Sequence, residues 1–114
     1  MSDSRTWPAS WLKGFLELAV LAIIAEGETY GYALTTRLAE TGFGPVKGGT
    51  LYPILGRLED AELVTTDWRV GDSGPGRKYY RITDHGVAEL GARAHTWADF
   101  AGRLDDLLKE YADE

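Results

Sequence analysis

The spacing of apolar residues predicts a buried first helix over residues 11–25. Apolar positions recur there every three or four residues, which is the period of a helix with an inward face. We predict Ser10 as its N-cap and Gly27 as its end, because serine caps helix starts and glycine follows helix ends. The predicted inward residues are Trp11, Phe15, Leu18, Leu21 and Ile24.

Two further helices are predicted on either side of a turn that contains glycine and proline. The second covers residues 31–41, with Leu34 and Leu38 facing inward, and the third covers residues 50–62. Residues 42–47 form the turn between them. The inward stripe of the third helix consists of Leu51, Ile54, Leu55 and Leu58.

The start of the third helix carries small, hydroxylated and phenolic side chains. We predict Thr50 as its N-cap and Pro53 in its first turn, where a missing N–H loses no helical hydrogen bond. Thr50, Tyr52 and Arg57 are predicted on the side away from the leucines, where they can reach phosphate or a base edge. The alternative is an exposed face with an ordinary cap and an ordinary salt bridge.

A β-hairpin with a basic tip follows the third helix directly. Alternating residues predict a strand over residues 63–70, and the return strand covers residues 78–82, after a glycine-rich loop at 71–76. The side chains that flank the loop and can contact phosphate are Arg69, Arg77, Lys78 and Tyr79. A solvated basic turn is the alternative. A helix followed by a basic hairpin is the element order of a winged helix-turn-helix, a DNA-binding fold.

A heptad pattern predicts one long helix that begins near residues 83–86 and ends at about Tyr111. Its apolar seam runs through Val87, Leu90, Ala94, Trp97, Ala101, Leu104, Leu108 and Tyr111, and is broadened by Phe100 and Leu107. A small domain cannot cover so long a stripe, whereas two copies related by a two-fold axis bury it twice. We therefore predict a homodimer, with folding back over the first helix of a monomer as the alternative. The predicted interface residues are Leu90, Ala94, Trp97, Ala101, Leu104, Leu108 and Tyr111.

Composition limits the classes of protein that this chain can belong to. Its 114 residues suffice for one core and little more. It has no cysteine, which excludes disulfides and thiolate chemistry and fits a cytoplasmic protein. The longest apolar run, residues 18–25, is too short to span a bilayer, so no membrane partner is expected. The two histidines, His85 and His95, lack metal-site spacing, so we expect no catalysis, metal or cofactor.

The net charge of −6 is unevenly distributed along the chain. Residues 84–114 hold eight acids and three bases, a net of −5, whereas residues 1–83 hold ten acids and nine bases, a net of −1. Within residues 69–81 there are four bases and one acid. Because the local field decides where phosphate can lie, the hairpin remains a candidate DNA contact.

Two tryptophans on apolar stripes, Trp11 and Trp97, admit two interpretations. They can be core residues, or they can line an aromatic cavity where the first helix of one subunit crosses the last helix of the other. Flat aromatic or cationic compounds would stack in such a cavity, with Asp99 or Glu17 as a counter-charge.

The chain resembles the PadR-like family of bacterial transcriptional regulators over nearly its whole length. The matching motifs are Leu16-Glu17-Leu18-Ala19-Val20-Leu21, Tyr30-Gly31-Tyr32, Gly49-Thr50-Leu51-Tyr52-Pro53-Ile54-Leu55-Gly56-Arg57-Leu58-Glu59, Gly76-Arg77-Lys78-Tyr79-Tyr80-Arg81-Ile82-Thr83, and Gly86. The resemblance implies a dimeric winged-helix repressor. The candidate DNA-contact residues are Tyr30, Tyr32, Lys47, Gly49, Thr50, Tyr52, Pro53, Arg57, Arg77, Lys78 and Tyr79.

The single C-terminal helix is similar to that of multidrug-sensing members, which hold a flat ligand between paired tryptophans at the dimer interface. Trp97 falls at that position, and the resemblance implies a ligand site made of Trp11, Gly14, Phe15, Leu18, Trp97 and Phe100. The acidic residue that favours cationic ligands in such regulators corresponds to Ala101 here. The resemblance by itself therefore does not extend that preference for cations to this chain.

We predict an α+β fold, mainly helical with a small β-hairpin, in which residues 1–83 form a winged helix-turn-helix and residues 84–114 a dimerisation helix. The predicted function is a homodimeric DNA-binding repressor with a palindromic operator, relieved by a planar aromatic ligand at the dimer interface. Two reading helices about 34 Å apart would match one turn of duplex DNA. The alternatives are a winged-helix protein-interaction module and a DNA-binding regulator without a ligand.

Overall fold

The computed structural model describes residues 9–71 and 74–112. Along the chain the elements are α1 (Ala9–Glu26), β1 (Thr29–Tyr30), α2 (Gly31–Glu40), α3 (Gly48–Asp60), β2 (Val64–Arg69), β3 (Arg77–Ile82) and α4 (Asp84–Ala112). All four predicted helices and both hairpin strands are present, which confirms the α+β class. Asp72 and Ser73, in the predicted loop of the hairpin, lie outside the described residues.

The core is built by α1 against α2, α3 and the sheet. The buried residues that α1 contributes are Leu16, Val20, Leu21, Ile23 and Ile24. The predicted inward stripe is therefore wrong at its beginning, because Trp11 is 60% exposed and Phe15 and Leu18 are half-buried. Phe15 and Leu18 face α4 instead. Ser10 is also not the N-cap, since the helix begins one residue earlier, at Ala9.

Helices α2 and α3 form the helix-turn-helix that the sequence predicts. The predicted inward residues of both helices, namely Leu34, Leu38, Leu51, Ile54, Leu55 and Leu58, are all buried. The chain leaves α2 through Gly42, whose φ of +94° is readily adopted by glycine, and the Phe43 N–H donates to the Leu38 carbonyl. Val46 in the turn is buried as well and closes the core between the two helices.

The start of α3 differs from the prediction by two residues. Lys47 occupies the N-cap position and its side chain makes no capping hydrogen bond, so Thr50 is not the cap. The N–H of Thr50 instead donates to the Lys47 carbonyl within the first turn. Pro53 consequently lies in the second turn, where its missing N–H leaves the carbonyl four residues earlier, that of Gly49, without its usual helical donor.

The sheet has three antiparallel strands in the order β1-β3-β2. The two-residue strand β1 was not predicted, and it pairs Tyr30 with Tyr79. In the hairpin, Thr66 lies opposite Tyr80, whose ring is buried in the core. Burial raises the pKa of the Tyr80 phenol, which stays protonated near neutral pH.

Helix α4 begins at a close contact with the body of the domain. The Thr83 N–H donates to the Leu63 carbonyl, and the Thr83 hydroxyl accepts a hydrogen bond from the Gly86 N–H, which caps the helix. A Cβ at Gly86 would overlap that same Leu63 carbonyl oxygen and the side chain of Ile82. The sequence at this point therefore requires glycine for a close approach, and the contact fixes where α4 leaves the domain.

Beyond its first turns α4 leaves the core. Its 29 residues correspond to a length of about 43 Å, and Gly86 is its one buried residue among those described. Leu90, predicted for the dimer seam, packs partly against the core of its own chain. The exposed large apolar residues of α4 are Val87, Trp97, Phe100, Leu104, Leu107, Leu108 and Tyr111. Among the described residues, no helix is long and apolar enough to cross a membrane.

Candidate nucleic-acid interface

The exposed N-terminal end of α3 carries most of the residues predicted to contact DNA. Lys47, Gly49, Thr50, Tyr52 and Pro53 are all exposed there, on the side opposite the buried leucines. The Tyr52 ring lies over Gly48, and its hydroxyl is held against Gly31 at the start of α2. These glycines leave room for the Tyr52 side chain, which is thereby positioned between the two helices.

A groove of about 470 Å³ separates this end of α3 from the β2–β3 hairpin, which we call the wing. It is lined by aromatic and basic side chains, namely Tyr30, Tyr32, Tyr52, Trp68, Arg77, Lys78 and Tyr80. Trp68 is 68% exposed and lies opposite Lys78 in the hairpin register. From the sequence, Trp68 was placed in a strand and was not predicted to contact DNA. Trp68 lies two residues after Thr66 in the strand, so both side chains are on the same face of the sheet. Thr66 is paired with the buried Tyr80, which indicates that this face is the one turned toward α3.

Two arginines and two tyrosines stack near the loop end of the wing. The Arg77 guanidinium carbon is 4.6 Å from the centre of the Tyr30 ring, and Tyr30 meets Tyr79 edge-on with ring centres 5.4 Å apart. Arg69 lies over the other ring, 4.4 Å from the Tyr79 centre. Cation–π contacts of this kind hold the guanidinium groups without neutralising them.

The wing cations differ in how far carboxylates compensate their charge. Arg69 donates to Glu28 at 2.6 Å and to Asp67 at 3.1 Å, and these hydrogen bonds raise its pKa. Lys78 donates to Glu59 at 3.1 Å, which raises its pKa. Arg77 forms no ion pair with the described part of the chain. Lys47 at the start of α3 likewise forms no ion pair with the described residues, so both cations are available to phosphate.

Arg57 lies on a different side of α3 from the groove. Its Nε donates to Glu17 Oε1 of α1 at 2.9 Å. The second Glu17 oxygen accepts a hydrogen bond from Arg93 Nη1 of α4 at 3.3 Å. Arg57 therefore connects α3 to α1 in the free protein, and the structure does not bring it together with Tyr52, Arg77 and the other groove residues.

A second cleft, of about 510 Å³, lies between α1 and α4. Its lining includes all but one of the residues predicted to bind a ligand, namely Gly14, Phe15, Leu18, Trp97 and Phe100. The other lining residues are Glu17, Glu89, Ala92, Arg93 and Thr96. The Trp97 ring centre is 5.5 Å from that of Phe15 and 5.6 Å from that of Phe100. Trp11, one turn before Phe15, is not among the lining side chains. We call this the α1–α4 cleft.

Three charged side chains line the α1–α4 cleft. Arg93 lies between Glu89, at 2.9 Å, and Glu17, at 3.3 Å, and hydrogen bonds to both, first of all to Glu89, raise its pKa. Asp99, the other predicted counter-charge, instead pairs with Arg103 at 3.3 Å and does not line the cleft. Within residues 9–71 and 74–112, no group of three or more potential ligands could hold a metal ion.

Comparison with known proteins identifies the family of this chain. Residues 20–92 match the transcriptional regulator PadR-like family. A transcriptional regulator of Mycobacterium tuberculosis is 41% identical over 75 residues, which cover 66% of this chain and 68% of the relative. The negative transcriptional regulator PadR of Bacillus subtilis is 31% identical over 84 residues, 72% of this chain and 44% of the relative.

A solved structure agrees with the sequence matches. The PadR-like transcriptional regulator from Bacillus cereus is 38% identical, with a TM-score of 0.76 over 87% of this chain and 96% of that one. Proteins of this family regulate transcription by binding DNA and are not enzymes. The chain described here belongs to the PadR-like family of transcriptional regulators.

Proposed function

We propose that this DNA-binding regulator is a homodimeric repressor whose operator affinity is lowered by a planar aromatic compound in the α1–α4 cleft. The observation that carries the proposal is the groove between α3 and the wing, because it combines an exposed helix end, five aromatic side chains and the cation of Arg77, which no carboxylate among the described residues pairs. Repression is supported by the B. subtilis relative, which is named as a negative regulator. The organisation that we propose is a DNA-binding unit over residues 1–83 and a dimerisation helix over residues 84–114.

In this proposal α3 enters the major groove of duplex DNA and the wing contacts the neighbouring backbone. The contacting residues are Tyr30, Tyr32, Lys47, Gly49, Thr50, Tyr52, Pro53, Arg77, Lys78 and Tyr79, to which we add Trp68. Arg57, held by Glu17, supports the position of α3 in the free protein. Lys78 would exchange Glu59 for a phosphate on binding, so we expect it to contribute less affinity than Arg77.

Neutralising Arg77 or Lys47 is expected to weaken DNA binding and to reduce its dependence on salt. Each phosphate contact releases counterions from the DNA, and a variant that loses the contact releases fewer of them. The slope of log affinity against log salt should therefore become shallower by about 0.9 per residue. The measurement is fluorescence anisotropy of a labelled duplex, titrated with Arg77→Ala and with Lys47→Ala over a series of salt concentrations.

The control for this titration is Arg103→Ala. Arg103 is an exposed cation on α4 that pairs with Asp99, outside the groove. It should leave the slope unchanged. Equal effects of all three variants would show that net charge and not the groove determines binding. Salt-independent affinity of the wild type would favour the alternative of a protein-interaction module.

The ligand part of the proposal makes a separate prediction for Trp97. Trp97→Ala should weaken binding of acridine, a planar aromatic dye, by about tenfold or more, because aromatic stacking contributes about 1–3 kcal/mol. Isothermal titration calorimetry measures this without relying on tryptophan emission. Trp68→Ala is the matched control, since Trp68 lines the DNA groove and should leave dye affinity unchanged. If the wild type binds no dye of this class, the alternative of a DNA-binding regulator without a ligand is favoured.

A further inference from the structure

Glu17 lies in the wall between two cavities that border α1. One is the α1–α4 cleft. The other, which we call the α1–α3 cavity, has a volume of about 640 Å³ and is lined by the start of α3, the turn before it and Arg57. Gly14 and Glu17 line both cavities. A change at the Glu17 carboxylate therefore affects both the α1–α4 cleft, where the ligand would bind, and the α1–α3 cavity beside the start of α3.

The two oxygens of the Glu17 carboxylate are divided between these two sides. Oε1 accepts from Arg57 Nε at 2.9 Å, and Oε2 accepts from Arg93 Nη1 at 3.3 Å. Arg93 has a second carboxylate partner, Glu89, at 2.9 Å. Arg57 has no other ion pair with the described residues. Arg57 therefore depends on Glu17, whereas Arg93 does not.

A count of charges in the α1–α4 cleft indicates which class of ligand it favours. Two carboxylates, Glu17 and Glu89, line the cleft beside one guanidinium, that of Arg93. Arg57 supplies the balancing positive charge from the α1–α3 cavity. A ligand with one positive charge could take over that role from inside the cleft. An anionic ligand would meet an excess of negative charge, and the aromatic walls formed by Phe15, Trp97 and Phe100 favour a cation that is also planar.

We propose that a planar aromatic cation in the α1–α4 cleft competes with Arg57 for the Glu17 carboxylate, so that occupancy of the cleft loosens the tie between α1 and α3. This rests on the ligand site proposed above. The cation would break the Arg57–Glu17 pair without touching Arg57 itself. Since coupling between two sites is reciprocal, removal of Arg57 must in turn strengthen the binding of the cation.

The test compares N-methylacridinium with acridine, two planar probes that differ in charge when acridine is unprotonated. In Arg57→Gln the affinity for N-methylacridinium should rise by about two- to fivefold, the effect typical of a partly exposed ion pair. The affinity for acridine should stay the same. Glu17→Gln should lower the affinity for N-methylacridinium by a similar factor. In the Glu17→Gln background, adding Arg57→Gln should not change that affinity further. Isothermal titration calorimetry measures each of these affinities without DNA, which these dyes also bind.

Arg37→Gln is the matched control. Arg37 makes a comparable pair with Glu26, with a 2.9 Å Nε–Oε1 distance, but that pair joins α1 to α2 away from the cleft. It should leave both dye affinities unchanged. Arg57 is 61% exposed, so its substitution is expected to leave the fold intact, which the thermal melt of the variant checks.

Three outcomes would overturn the inference. The first is an equal change for both probes in Arg57→Gln, and the second is tighter binding of acridine-9-carboxylate than of N-methylacridinium. The third is that the wild type binds neither dye. The DNA-binding part of the proposed function is measured separately, by the salt titration of Arg77→Ala and Lys47→Ala, and stands or fails independently of these dye affinities.

Discussion

Replacing Leu108 with glutamate is expected to convert the proposed homodimer to a monomer and to lower the affinity for a palindromic duplex by at least about a hundredfold. Leu104 and Leu108 are each nearly half exposed on α4, where their own chain leaves them uncovered. A two-fold interface would place both copies of the new carboxylate in an apolar seam, where burial of an unpaired charge is strongly unfavourable. Without the dimer, the avidity from two half-sites is lost.

Sedimentation equilibrium measures the association, and anisotropy of a labelled duplex measures the affinity. Ala88→Glu is the control, because Ala88 is exposed on the opposite side of the same helix, half a turn from the seam. It should sediment as the dimer and bind DNA like the wild type. A dimer that survives Leu108→Glu unchanged would place the interface elsewhere and contradict the proposed seam.

Gly86→Ala is expected to lower the free energy of unfolding by about 2–4 kcal/mol. The new Cβ would overlap the Leu63 carbonyl oxygen, and it would also press on the Ile82 side chain. Neither neighbour can move cheaply, because the Leu63 carbonyl accepts the hydrogen bond from Thr83 that anchors the start of α4. Urea unfolding at a fixed protein concentration measures the change.

A second glycine of α4 provides the control for that experiment. Gly91 is exposed in the same helix, and a Cβ there would meet no atom within 4 Å. Gly91→Ala should therefore raise the free energy of unfolding by about 0.5–1 kcal/mol, because alanine favours a helix over glycine. If the two substitutions change the free energy of unfolding in opposite directions, the close approach at Gly86 is the cause of its destabilisation. Changes in the same direction would contradict this explanation.

The sequence predicted the helices and the hairpin well because each has a repeating pattern over many residues. Strand β1 has only two residues, Thr29 and Tyr30, so it has no period of its own and arises from pairing with β3. The start of α3 was placed two residues late because Lys47 caps it without a side-chain hydrogen bond. The cap inferred from residue type at Thr50 was therefore wrong, and Ser10, the other predicted cap, lies inside α1.

The candidate DNA interface was predicted in composition but not in detail. Tyr52 and Arg77 could be chosen from their positions next to the leucine stripe and the loop. The ion pair of Arg57 could not be predicted, because its partner Glu17 is 40 residues away and only the packing of α1 on α3 brings them together. Trp68 was missed because an exposed tryptophan and a core tryptophan look alike in a strand pattern.

The position of Trp11 illustrates the same limit on the ligand side. A helical period assigns Trp11, Phe15 and Leu18 to one face, yet only the last two line the cleft. Which part of that face is covered depends on where α4 leaves the domain, and the contact at Gly86 fixes that direction. The sequence marks the glycine, but it does not reveal the angle between α1 and α4.

Hydroxyl-radical footprinting on genomic fragments retained by the purified protein tests the central claim most directly. If two copies joined through α4 present two α3 helices to duplex DNA, the footprint should show two protected blocks related by two-fold symmetry, about one helical turn apart on one face. A single protected block, or no fragment retained even in dilute buffer, would contradict the account.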